Sequence, residues 1–246
     1  MNLQRFADRA ILVTGAASGI GEACAQRLTA EGARVWCGDV APSVEAVADG
    51  LDGAGWSLCD VTDPGQVQAA VDGAVDRFGR LDGLVNSAGI LLFESAHETS
   101  LDQWNRILAV NLTGTFLCSM AALPHLLDGG GSIVNISSSA AVKGAPWAAA
   151  YSASKGGVLS LTRSLAVEYG RQGLRVNALC PSNVATPIRD EFRFPEDVDQ
   201  SLLHRLLPFH QEGQPADVAA AVAFLASDDG RHVNGAELRV DGGDLT

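Results

Sequence analysis

Short apolar runs alternate with longer stretches of helical periodicity along the whole chain, and this alternation constrains the fold more than any other feature. Residues 10–13, 34–37, 56–59, 81–85, 132–136, 174–179 and 237–240 read as strands. Residues 22–30, 66–78, 101–126, 150–169 and 216–226 read as helices. In 66–78, Val67, Ala70, Val71, Ala74, Val75 and Phe78 recur three and four apart, the spacing of one helix face. Strands separated by helices return to the sheet through right-handed crossovers and pair in parallel. Their nearly continuous apolar character is what a sheet covered on both faces requires. The expectation is an α/β fold: a doubly wound parallel sheet of about seven strands with helices on both faces, one domain over 1–246.

The composition narrows the function classes. With 47% hydrophobic and 19% charged residues the chain is of globular type. Its formal net charge of -12 repels phosphate backbones and argues against nucleic-acid binding. A nucleotide cofactor remains open, because backbone amides and helix N-termini bind phosphate without a basic patch. No apolar run reaches the roughly 18 residues of a membrane span, and residues 1–9 are polar with no signal-peptide core. Cys24, Cys37, Cys59, Cys118 and Cys180 are scattered, with no CxxC pair, as expected of reduced thiols in a cytoplasmic protein. His97, His125, His204, His210 and His232 lie apart without metal-ligand spacing, so no metal site is expected and zinc-type alcohol chemistry is disfavoured.

Thr14-Gly15-Ala16-Ala17-Ser18-Gly19-Ile20-Gly21 follows the first strand and opens the first helix. Glycines let the backbone turn tightly and approach a pyrophosphate, and the helix N-terminus adds amides and positive dipole. Gly15, Ser18, Gly19, Ile20 and Gly21 are therefore candidate cofactor residues, spaced GxxxGxG rather than GxGxxG. Asp39 ends the second strand, where a carboxylate accepts hydrogen bonds from ribose hydroxyls and repels a 2′-phosphate. No lysine or arginine sits in the loop or beside Asp39, which favours NAD over NADP.

Tyr151 and Lys155 lie four apart at the start of a helix and share a face. A free phenol with a pKa of about 10 is too weak a base at neutral pH, and a nearby ammonium favours the phenolate. The pair forms a candidate general acid/base. Ser138 ends the fifth strand, at the carboxyl edge where α/β sheets bind ligands, and can hold a substrate oxygen against Tyr151. Asn111 falls inside an apolar helical stretch and needs a partner if buried.

Together these motifs resemble the short-chain dehydrogenase/reductase family over essentially the whole chain. The resemblance rests on the glycine-rich loop, Asp60-Val61, Asn86-Ser87-Ala88-Gly89, Asn111, Ser138, Tyr151 with Lys155, and Pro181 to Thr186. It implies a Rossmann-type fold and an NAD-dependent enzyme acting on CH–OH groups. It implies a catalytic set of Asn111, Ser138, Tyr151 and Lys155, in which Tyr151 moves the proton and Ser138 orients the substrate oxygen. Lys155 would lower the tyrosine pKa and hold the nicotinamide ribose, and Asn111 would support a proton-relaying water. Asp60 and Val61 would bracket the adenine. Asn86, Ala88 and Gly89 would form a further cofactor segment, Asn86 and Gly89 contacting the adenosine ribose side. After Pro181, Val184 and Thr186 would fix the carboxamide. Dimers or tetramers are common in the family. The sequence departs from the family pattern at Ser87, where a second asparagine is usual, and at Ser182, where glycine usually follows the proline.

The segment 183–214, with three prolines and mixed charge, reads as a substrate lid. Its Phe192, Phe194, Leu202, Leu203, Leu206, Leu207 and Phe209, with Trp147 and Leu91, Leu92 and Phe93, suggest an apolar pocket for a secondary alcohol or ketone of cyclic, aryl, steroid-like or 3-oxoacyl type. Arg189, Arg193 and Arg205 could instead meet a charged substrate. Two other readings stay open: an epimerase or dehydratase sharing YxxxK on a related fold, and a non-catalytic NAD-sensing protein.

Overall fold

Seven strands pair in parallel in the computed structural model, which describes residues 4–189, 193–196, 198–206 and 211–245. They are β1 (Ala10–Thr14), β2 (Arg34–Asp39), β3 (Gly55–Leu58), β4 (Gly83–Asn86), β5 (Ser132–Ile136), β6 (Arg175–Pro181) and β7 (Glu237–Val240). Their order is β3-β2-β1-β4-β5-β6-β7. The chain winds outward from β1 to one edge, crosses back to β4, and winds to the other edge. The carboxyl ends of β1 and β4 thus flank a switch point, the place where such sheets open a ligand crevice.

Residue alternation sends each strand into two cores. Ile11, Val13, Val35, Val85 and Val134 face one layer, packed by α1 (Gly19–Ala30) and α8 (Pro215–Ala226). Leu12, Leu84, Ile133 and Val176 face the other, packed by α3 (Pro64–Phe78), α5 (Gly114–Leu127) and α7 (Ala149–Tyr169). All these strand residues are buried, which explains the lack of polar alternation in the sequence. Every helix read from the periodicity is present, with ends displaced by a few residues.

Three departures are physical. The helical stretch 101–126 is α4 (Leu101–Leu108), a π-helical turn over Ala109–Thr113, and α5. By length and hydropathy Leu101–Leu127 would pass for a membrane span, but its Cys118, Ala122 and Leu126 are buried in the second core. Two short helices, α2 (Val44–Asp49) and α6 (Ala140–Lys143), lacked enough turns to leave a periodic signal. The segment 183–214 contains 3₁₀ turns at Pro187–Arg189 and Gln200–Leu206, and its two ends are joined by pairing of Val184 with Gly213.

Candidate active site

The loop from β1 to α1 is shaped by contacts only glycine allows. Gly15 has φ +68°, and a Cβ there would lie 2.7 Å from the Ala88 nitrogen. A Cβ on Gly21 would lie 1.9 Å from the Gly15 oxygen. The Thr14 hydroxyl accepts the Ser87 amide at 3.2 Å and the Ala88 amide at 3.4 Å, tying this loop to the segment after β4. Ser18 caps α1 in extended backbone without a side-chain bond to the first-turn amides. Beside this loop runs a groove of about 570 Å³. Gly15, Ser18, Gly19, Ile20 and Gly21 form its floor. Asp39 stands at one end, its two carboxylate oxygens accepting the Ala17 amide at 2.9 Å and the Ala41 amide at 2.8 Å. Asp60 and Val61 line the same groove, as do Ala88, Gly89 and Thr186. The Asp60 carboxylate accepts from the Thr62 amide and hydroxyl, which fixes that turn. A glycine-walled groove opening on free helix amides suits a dinucleotide pyrophosphate. Arg106 of α4 also reaches the groove, which the sequence did not announce.

Asn86 stands differently from expectation. Its side chain is buried in the sheet, donating to Asn135 Oδ1 at 2.8 Å and Ser119 Oγ at 3.2 Å. Asn135 in turn donates to Thr162 at 2.9 Å. The Asn86 amide nitrogen therefore stitches β4 to β5 and α5, while its Oδ1 is buried without a hydrogen-bond partner. A strand-end asparagine points to one face or the other according to pleat, which composition does not reveal.

A second cavity, about 200 Å³, joins the groove at Ile20, Gly89 and Thr186. Ser138, Tyr151 and Lys155 line it together. Ser138 lies two residues beyond the end of β5, and α7 carries the other two on its first turns. The Lys155 ammonium donates to the Ile136 carbonyl at 2.8 Å and lies 5.8 Å from the centre of the Tyr151 ring. Asn111, fully buried in the π turn, donates to the Ile90 carbonyl at 2.9 Å and Ser154 Oγ at 3.1 Å, and accepts the Ile90 amide at 2.8 Å. A Cβ on Gly89 would lie 3.3 Å from Lys155 Nζ and 3.4 Å from Asn111 Oδ1. The two groups thus converge on one glycine.

Burial acts against charge on both titrating groups. It holds the Tyr151 phenol above its ordinary range, offset in part by the Ser138 hydroxyl, and pushes Lys155 down to about 8. In the chain alone burial dominates at Tyr151, opposed by the Ser138 hydroxyl rather than by Lys155.

The rest of the cavity is apolar on one side. Leu91, Phe93, Ala145, Ala148, Ile188 and Leu206 form that wall, and Pro181 and Val184 close the cofactor side. Phe194 of the 183–214 segment stacks on Phe93 with centroids 4.7 Å apart and meets Trp147 edge-on at 6.0 Å. Trp147 and Asn183 both hold positive φ, 58° and 50°, a conformation that gathers at ligand sites. Leu92, Leu202 and Leu203 are half-buried away from the cavity. Arg193 is exposed. Phe192, Leu207, Phe209 and His210 lie outside the described residues, as do the side chains of Arg189, His204 and Arg205.

Comparison with known proteins agrees with this geometry. The family model described as "Enoyl-(Acyl carrier protein) reductase" matches residues 15–244. The chain belongs to the short-chain dehydrogenase/reductase family. It is 40% identical over 97% of its length to meso-2,3-butanediol dehydrogenase of Serratia marcescens, covering 95% of that protein. It is 44% identical over 98% to cis-4-hydroxycyclohexanecarboxylate dehydrogenase of Sinomonas cyclohexanicum, covering 98% of it. A short-chain dehydrogenase from Mycobacterium paratuberculosis, solved bound to NAD, superposes with a TM-score of 0.88 at 31% identity, over 98% of both chains. As a short-chain dehydrogenase/reductase the protein is an oxidoreductase acting on CH–OH groups.

Within this family frame, Ser182 has a structural account. Its hydroxyl donates to Asp244 Oδ2 at 2.5 Å and accepts from Ser139 Oγ at 3.0 Å and Asn183 Nδ2 at 3.1 Å. Lys143, at the end of α6, donates to the same Asp244 oxygen at 2.6 Å. Lys143, Ser139, Ser182 and Asn183 line the same cavity as Ser138, Tyr151 and Lys155, polar lining that motif reading missed. A signal was present in the sequence: the chain has only two lysines, Lys143 and Lys155.

Proposed function

We propose that this short-chain dehydrogenase/reductase interconverts a secondary alcohol and a ketone with NAD(H), using Tyr151 as general acid/base. The observation that carries the reading is a single cavity holding Ser138, Tyr151 and Lys155 and opening directly into the glycine-floored groove. Bound NAD supplies the hydride acceptor, and NADH the donor. In oxidation Tyr151 removes the hydroxyl proton as the carbinol carbon gives up its hydride; in reduction it returns that proton to the carbonyl oxygen. Ser138 holds the substrate oxygen beside the phenol. Lys155, anchored on the Ile136 carbonyl, holds its charge near the ring and would hold the nicotinamide ribose. Asn111 fixes the segment at Ile90 and supports the proton path behind Lys155.

Asp39 supports NAD over NADP, since a fixed carboxylate at the end of β2 accepts ribose hydroxyls and repels a phosphate. The apolar wall and the Phe194–Phe93–Trp147 stack support a compact substrate with a cyclic, aryl or aliphatic body, in keeping with the alcohols in the relatives' names. The exposed Leu101, Phe116 and Val167, on α4, α5 and α7, support a homo-oligomer, for which the family's habit suggests two or four chains, and the five unpaired cysteines suit the cytoplasm. Light scattering reads the oligomeric state.

Tyr151→Phe tests the chemistry. Turnover with NAD and a panel of secondary alcohols is expected to fall at least about a hundredfold, with NADH binding, read by fluorescence, retained. Full activity in this variant would remove Tyr151 from the mechanism.

A further inference from the structure

We infer that Asp244, in the turn after β7, is a positioning residue for the chemistry: acting through the Ser182 hydroxyl, its carboxylate fixes the segment that carries Ser138 and so sets the rate of the chemical step. The inference rests on the secondary-alcohol reading above and adds to it a residue from the C-terminal segment.

Ser138 lies just past β5, on a stretch that β5 alone does not shape. The Ser137 amide donates to the Leu179 carbonyl at 2.8 Å and the Ser139 amide to the Pro181 carbonyl at 2.9 Å, so residues 137–139 continue the pairing with β6 past the end of β5. The Ala140 amide then donates to Ser138 Oγ at 3.1 Å, and α6 begins. On the β6 side this extension runs out at Ser182, the position at which the family usually has glycine. The Ser182 hydroxyl is a junction: it accepts from Ser139 Oγ and Asn183 Nδ2 and donates to Asp244 Oδ2. A glycine could make none of these bonds.

The turn after β7 brings Asp244 to this junction. β7 pairs with β6 as far as Val240 opposite Pro181, and the Ser182 amide donates to the Val240 carbonyl at 3.3 Å. Gly242 and Gly243 then take positive φ, 58° and 86°, while the Asp241 carboxylate accepts the amides of Gly243 and Leu245. This returns Asp244 to Ser182 with its side chain only 7% exposed. The same Oδ2 also accepts from Lys143 at the end of α6. One carboxylate oxygen therefore ties down both ends of the segment 139–143 that follows Ser138, Ser139 through Ser182 and Lys143 directly. The bond from Ser182 to a buried carboxylate is charge-assisted, stronger than one between two hydroxyls. Without that acceptor the Ser182 hydroxyl can turn toward Ser139, and the order of donors along Asp244, Ser182 and Ser139 is lost.

The test is the first-turnover rate of NADH formation by stopped flow, with the best alcohol of the panel, for Asp244→Ala, Ser182→Gly and the double variant. NADH affinity by fluorescence and thermal melting accompany each. Each single change is expected to slow the first turnover about tenfold, because small displacements at a reacting centre cost that much or more, with NADH affinity retained. The double variant is expected to be no slower than the slower single one, since both changes break one chain of bonds. Asp244→Asn keeps an oxygen acceptor and is expected to lose less than Asp244→Ala. It replaces the alanine variant if that one does not fold, and is then expected to have no further effect in the Ser182→Gly background. A wild-type rate in Asp244→Ala overturns the inference. So do losses that multiply in the double variant, a full rate in Ser182→Gly beside a slow Asp244→Ala, or a loss confined to NADH affinity. In each of these cases wild-type turnover leaves the secondary-alcohol reading standing. Silence of the wild-type protein across the panel overturns that reading, and this inference with it.

Discussion

Tyr151 and Lys155 are both penalised by burial for carrying charge, and the sign of that penalty fixes how activity responds to pH. In the mechanism proposed above, oxidation needs Tyr151 as phenolate. Its pKa is raised, so the active form is scarce at neutral pH and accumulates as pH rises toward the phenol's own pKa. Alcohol oxidation is therefore expected to gain kcat/KM steadily through the alkaline range, and ketone reduction, which needs the protonated phenol, to lose it. A pH profile measured in both directions checks this; an oxidation rate that falls from pH 7 to 9 contradicts it. Asp39 makes a second prediction. Asp39→Ala removes the ribose acceptor and also the bond to the Ala17 amide, so NAD affinity is expected to drop about tenfold or more while the gap to NADP narrows. Isothermal titration with both cofactors reads it. Residues whose placement follows from spacing, such as Tyr151 with Lys155 or the loop glycines, were legible in the sequence. Lys143 was not, because its meaning depends on Asp244, 101 residues further along.

The elements are held by contacts that local propensity does not encode. Arg175 opens β6 and turns its guanidinium onto the end of α8, donating to the carbonyls of Leu225, Ala226, Ser227 and Gly230. The Leu225 and Ala226 carbonyls belong to the last turn of α8, whose carbonyls have no partner within the helix, and the positive charge also suits the helix C-terminus. Arg175→Met is expected to cost about 2–3 kcal/mol and to lower the melting temperature by about 5 °C or more. Gly73, mid-helix in α3, gives a prediction of unusual sign. Intrinsic propensity says alanine there adds up to about 1 kcal/mol of stability. A Cβ at Gly73 would lie 2.6 Å from Cζ2 of Trp36, so Gly73→Ala is expected to destabilise, again read by melting. The π turn at Ala109–Thr113 was invisible for a related reason. Its residues continue the apolar run of the flanking helices, and tertiary contacts from Asn111 to Ile90 and Ser154 accompany the wider turn.

At the scale of the molecule, the doubly wound parallel sheet was readable because most of the crossover helices carried a clean apolar face, whereas the strand order and the ties at the two ends of the chain were not. Arg5 bridges Glu31 and Asp229, and Arg9 reaches Asp228, joining the N-terminal segment to the turn after α8. Asp244 joins the C-terminal segment to Lys143 at the end of α6. All five cysteines are buried and free, and burial pushes Cys24 and Cys37 up to about 12 and Cys59 and Cys180 to about 11. Native protein at pH 8 is expected to show no rapidly reacting thiol to a chromogenic disulfide, and five once denatured. A fast native thiol would mean one is reachable. The pairing of the two lysines in one cavity has a practical side. Amine-directed reagents such as active esters, aldehydes and biotin linkers find no side-chain amine elsewhere on this chain. Lys155, with its ammonium pushed down to about 8, is also more nucleophilic near neutrality than an ordinary lysine. Attaching the enzyme to a support through lysine would therefore poison it, while the extent of labelling, with and without nucleotide, would serve as a built-in gauge of active-site occupancy.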